Sequence, residues 1–174
     1  KKDAKVEDIF KVMLDEEDRE LGTLKTQIDS NSLSVHKIIT MASIAELEGK
    51  SLDDRKNIVG VFFNRLNSGM SLGSDVTTYY GARVDMSERD LYQTEIDDQN
   101  AYNTRPAAAA GNLPIGPICN PGIEAIKAVV NYTPNDYFFF VSDKEGKVYF
   151  TKTDSEHQQI INQLIQEGKW FTYD

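Results

Sequence analysis

Glu46 and Glu48 stand two residues apart near the end of an apolar stretch, MASIAELEG, that runs from Met41 to Gly49. Carboxyl groups beside a run that favours burial are either the solvated end of a helix or acids placed for chemistry. Helical spacing puts Glu46 on one face with Val35, Ile39 and Ala42, and stacks Glu48 over Ile44 and Met41. Burial raises a carboxyl pKa because the charged form loses hydration, and the partial negative charge at a helix C-terminus pushes the same way. A carboxyl still protonated near neutral pH is what general-acid catalysis on a glycosidic oxygen needs, and spacing makes Glu46 a candidate for that acid. Fraying into solvent and pairing with Lys50 or Arg55 are the structural alternatives, and spacing alone leaves them open.

The elements that must position these acids follow from periodicity and capping. A helix is predicted from about Val6 to Arg19, and a second from about Ser34 to Glu48 with Gly49 as its stop. Ser51 and Asp54 are spaced as a helix start, and the apolar face Ile58, Val59, Phe62, Phe63, Leu66 carries that helix to near Gly69. Between Gly69 and Asn120 the periodicity weakens and turn residues multiply; a loop-rich stretch this long in a compact domain points to function. Helix resumes in NPGIEAIKAVV, with Asn120 as cap and Pro121 in the first turn. YFFFVSDKEGKVYF reads as two strands around a polar turn, and Thr153 with Glu156 reads as the capping box of a last helix. The class is α+β: mainly helical, with a long loop-rich segment and a late β-hairpin.

Composition narrows the chemistry. The 174 residues are 40% hydrophobic and 27% charged, enough for one full core and far from a disordered composition. A formal net charge of -9 and the lack of a Lys/Arg cluster argue against nucleic acid as the partner. One cysteine, Cys119, makes no disulfide framework, and with His36 and His157 it shows no paired spacing for zinc, so no metal or cofactor is expected. IVGVFF and YFFFV are too short to cross a bilayer. No signal peptide is visible, and an opening without Met fits a piece of a longer protein. His157 is expected to cap or pack on its helix and His36 to lie at the surface.

Five segments in order, ASIAELE, VFFNRLNSGMSLGSDVTTYYG, AYNT, LPIGPICNPG and YFFFVSDKEGKVYFTKTDSEH, resemble the MltG (YceG-like) family of bacterial endolytic murein transglycosylases. The resemblance runs from about Ser34 to the C-terminus. It implies residues 1–33 as an N-terminal helix and linker, the end of a truncated region, and residues 34–174 as the catalytic domain. It also implies cleavage of the bond between N-acetylmuramic acid and N-acetylglucosamine in peptidoglycan, leaving 1,6-anhydromuramoyl ends. Glu46 maps to the family's acid, with Glu48 as support. GSDVTTYYG resembles the loop QSDPTVxYG, which makes Ser74, Asp75, Thr77 and Tyr80 substrate-binding residues; Gly73 and Val76 depart from it. AYNT makes Tyr102, Asn103 and Thr104 holders of acetamido groups, with Arg105 where relatives have Tyr. Ile115 and Val148 are further departures. Inherited with the family are glycan strands as substrate, peptidoglycan synthases as partners, and a place at the outer face of the cytoplasmic membrane through an anchor absent from this chain. Two rivals stay open: an inverting hydrolase using Glu46 and Asp75, which would stand about 6.5–9.5 Å apart, and a non-catalytic glycan-binding or assembly module.

Overall fold

The structure, a computed structural model, describes residues 4–170. Contacts divide the chain into two units, Lys1–Ser32 and Leu33–Asp174. The first unit carries helix α1 (Val6–Thr23), longer than the sequence expectation by one turn, and a short α2 (Lys25–Asp29). Val6, Ile9, Phe10, Met13 and Leu14 of α1 are all exposed. Among the described residues no helix is long and apolar enough to cross a membrane.

The second unit is built on α3 (Val35–Glu48), α4 (Leu52–Asn67) and α7 (Ile123–Val130), which pack on one another. Ile38, Met41, Ile44, Ile58, Val59, Phe62, Ala128 and Val129 are fully buried there. Ser34 caps α3 by accepting from Lys37 N, and Ser51 with Asp54 closes a full capping box on α4. Strands β1 (Phe139–Ser142) and β2 (Val148–Thr151) form the expected antiparallel hairpin, with Phe140 opposite Phe150. Phe140 meets Phe62 of α4 edge-on at 6.0 Å, and α8 (Asp154–Gln166), started by the Thr153–Glu156 capping box, packs on both strands. Gly60 lets the return from α7 come close: a Cβ there would lie 2.5 Å from the Thr133 carbonyl.

Two expectations are corrected. The segment after Gly69 is not all loop, since α5 (Asp75–Ala82) and one turn, α6 (Gln93–Ile96), lie within it. The Val-Thr-Thr-Tyr-Tyr run has weak intrinsic helix preference, and tertiary bonds to its buried threonines sustain the helix. Helix α7 begins later than expected, with Gly122 rather than Asn120 at its cap, because Gly122 remains extended and its N–H is held by a carboxylate from α3.

Candidate active site

Glu48 is the last residue of α3 and faces a cleft of about 560 Å³ between the Leu72–Asp75 turn, the hairpin and α8. Its face of the helix holds Met41 and Ile44, both fully buried. Ser74 Oγ donates to Glu48 Oε1 at 2.6 Å. Burial pushes the Glu48 carboxyl up to about 7; the Ser74 bond opposes this, the charge of Asp75 adds to it and that of Arg105 opposes it. A carboxyl poised at that value can give and take a proton near neutral pH.

The environment expected at Glu46 is therefore found two residues on. Glu46 points away from the cleft lining: its Oε1 pairs with Arg55 Nη2 at 2.7 Å and its Oε2 accepts from Gly122 N at 3.1 Å. Arg55 also donates through Nε to Gly49 O at 2.9 Å. This ion pair, with both side chains largely covered, ties the end of α3 to α4 and to the start of α7. The sequence alternative of pairing with Arg55 describes Glu46; its companion Glu48 occupies the cleft.

Ser74 is placed by a small lattice behind it. Gly73, at φ +64, turns the chain so that its N–H reaches Thr104 O at 3.0 Å, and Ser74 N reaches Thr104 Oγ1 at 3.2 Å. Thr77 Oγ1 lies 2.8 Å from Thr104 Oγ1 and 2.7 Å from Ser74 O. Thr77 and Thr104 are buried, and their hydroxyls hold the turn. Asn103 is likewise internal: its oxygen accepts from Thr78 Oγ1 and Arg105 N, and its amide donates to the carbonyls of Glu95, Ile96 and Asp98. These bonds fasten the 95–105 segment, and they engage the same amide expected to hold acetamido groups. Tyr80 and Tyr102 pack edge-on at 4.8 Å, and neither lines the cleft that Glu48 faces.

Asp75 does line that cleft, half exposed and ion-paired with Arg105. The residues not anticipated are Arg65, Phe139, His157 and Trp170 on its walls. His157 stacks on Phe139 at 5.4 Å, and among the described residues its buried Nδ1 has no hydrogen-bond partner. Burial lowers its pKa, which keeps the ring neutral. Cys119 is half-buried beside α3, its thiol donating to Ser43 O at 3.3 Å, and burial raises its pKa. Among the described residues no group of three or more His, Cys, Asp or Glu could hold a metal ion.

The described geometry has counterparts. The model of the YceG-like family matches residues 1–163. The chain is 36% identical over 163 residues to a Bacillus subtilis protein named endolytic murein transglycosylase, covering 94% of this chain and 44% of the relative. It is 34% identical over 172 residues to a Streptococcus pneumoniae protein of the same name, covering 95% of this chain and 30% of the relative. The chain thus spans less than half the length of both. The crystal structure of a yceG-like protein of Listeria monocytogenes superposes with a TM-score of 0.81 at 33% identity, covering 91% of this chain and half of that one. With sequence, family pattern and α+β fold agreeing over most of its length, the chain belongs to the YceG-like family.

Proposed function

We propose that this chain is the catalytic portion of a lytic transglycosylase that cleaves the glycan strands of peptidoglycan, with Glu48 as the single acid and base. The observation that carries the reading is a carboxyl held near pKa 7 in a cleft wide enough for sugar rings, with Ser74 fixed against it. Support comes from the names of the relatives. Glu48 donates its proton to the glycosidic oxygen as the bond to the muramoyl C1 breaks and oxocarbenium character develops. The resulting carboxylate then removes the proton from the muramoyl 6-hydroxyl as that oxygen attacks C1, closing the 1,6-anhydro ring and restoring the acid. No water is consumed, and no cofactor is required. The Ser74 hydrogen bond stabilises the carboxylate stage between the two transfers. Glu46 braces the helix end from behind through Arg55. Action at the outer face of the cytoplasmic membrane near peptidoglycan synthases is part of the same proposal, inherited from the family.

Mass spectrometry of peptidoglycan digested by the parent and by Glu48→Gln and Glu46→Gln variants tests it. Anhydromuramoyl ends from the parent, lost in Glu48→Gln and merely reduced in Glu46→Gln, are expected. Loss in Glu46→Gln alone would return the acid to Glu46. New reducing ends instead of anhydro ends would favour water activation by Asp75, which shares the cleft with Glu48.

A further inference from the structure

Two guanidinium groups, Arg65 and Arg105, line the Glu48 cleft and have no part in the proton transfers. Arg65 is fixed from several sides. Its Nε donates to Phe138 O at 2.6 Å, its Nη1 to Leu72 O at 2.7 Å and Ser71 O at 3.3 Å, and its plane lies 5.0 Å over the Phe139 ring. Gly73 leaves it room, since a Cβ there would come 2.9 Å from Nη1. These bonds engage Nε and Nη1; among the described residues Nη2 has no hydrogen-bond partner. Arg105 reaches Asp75 Oδ1 through both Nε and Nη2.

The two cations feel each other: after burial, the charge of Arg105 is what lowers the Arg65 pKa. Of the acids in the cleft, Asp75 is bonded to Arg105, Asp154 makes no ion pair with either arginine among the described residues, and Glu48 is neutral below about pH 7. Both line one partly desolvated wall, where like charges repel unless anions offset them; Asp75 offsets Arg105, and among the described residues no acid pairs with Arg65. Guanidinium groups engage carboxylates through short, charge-assisted, often bidentate bonds.

We infer that Arg65 and Arg105 form a carboxylate-binding subsite beside the acid, which reads an acid group carried by the muramoyl residue at the cleaved bond. The inference rests on the proposed glycan-cleaving role of the cleft. The shared chemistry has two sources in the substrate: the lactyl carboxylate, free in strands stripped of stem peptides, or a carboxylate of the stem peptide itself. Neutral glycans lack both.

Equilibrium binding to the full chain carrying Glu48→Gln separates the cases. The ligands are a chitotetraose, a peptide-free tetrasaccharide of alternating N-acetylglucosamine and N-acetylmuramic acid, the same tetrasaccharide with its lactyl groups converted to methylamides, and its peptide-bearing form. The tetrasaccharide that supplies the carboxylate is expected to bind about tenfold tighter than chitotetraose and the methylamide. Adding Arg105→Ala, an accessible side chain, is expected to reduce that advantage to about twofold or less. Tight binding of the peptide-free acid assigns the lactyl group; tight binding of the peptide-bearing form, again dependent on Arg105, assigns the stem. Equal binding of all four ligands, or an advantage that survives Arg105→Ala, overturns the inference. A carboxylate preference in a protein whose parent form yields no anhydro ends would leave the subsite standing and overturn the activity instead.

Discussion

At the scale of single residues, the proposed acid and base tasks fall to one carboxyl, and its surroundings set the pH window in which it would work. Glu48 has its pKa raised from 4.5 to about 7. Below pH 4.5 the group is protonated in both the folded and the unfolded chain and costs nothing. As pH rises through 7 the folded chain must ionise a carboxyl lodged among apolar neighbours, so stability present at low pH is lost. Glu48→Gln is therefore expected to unfold at the same denaturant concentration as the parent near pH 4.5. Above pH 7.5 it is expected to be more stable, by on the order of 2 to 3 kcal/mol. Activity should fall on the alkaline side of about pH 7, where the acid has lost its proton. Ser74→Ala removes a bond that favours the carboxylate, so the alkaline limb of its pH–rate profile should move upward while its maximal rate drops about tenfold. An alkaline limb unmoved by this change would separate Ser74 from the acid. The sequence singled out Glu46 and Glu48 and put Glu46 first, but nothing local to them shows which one faces the cleft. Both sit at a helix end with apolar residues one and two turns earlier, and what distinguishes them comes from Arg55 and Gly122, one seven and the other 74 positions beyond Glu48.

At the scale of elements, the site depends on one knot where three helices meet. Glu46 accepts from Arg55 of α4 and from the cap residue of α7, and the residue two positions later is the proposed acid. Arg55→Met leaves the Glu46 charge without its partner in a covered position and should cost roughly 2 kcal/mol in chemical denaturation, between the usual values for exposed and buried pairs. Asn103→Ala strands the backbone carbonyls at 95, 96 and 98 and should cost about 3 kcal/mol by the same measurement. A loss below 1 kcal/mol would return Asn103 to the role of an adjustable substrate contact. Long elements with clean caps were legible from the chain alone: Ser34, Ser51 and Thr153 each start a helix as their side chains suggest. Helix α5 was not legible, because the bonds that tie Thr77 and Thr78 to the rest of the fold reach Thr104 and Asn103, 27 and 25 positions away. The cleft wall formed by the hairpin and α8 was invisible for the same reason: nothing local says that Phe139 and His157 will stack.

For the whole molecule, a net charge of -9 would meet, in the proposed peptidoglycan strands, a substrate that itself carries carboxylates. Long-range repulsion should slow encounter at low ionic strength, so kcat/KM should rise severalfold between about 10 and 150 mM salt, as the Debye length shrinks from about 30 to 8 Å. A steady fall over that range would mean that local attraction within the cleft outweighs the overall field. The lone thiol gives a way to watch the same molecule without substrate. Cys119 lies against the backbone of α3 at Ser43, half-covered and with its pKa raised, so it is a slow nucleophile while the segment stays seated. Its alkylation rate in the folded protein is therefore a clock for how often the Pro117–Asn120 strap lifts from the helix that carries Glu48, and Arg55→Met should make that clock run faster.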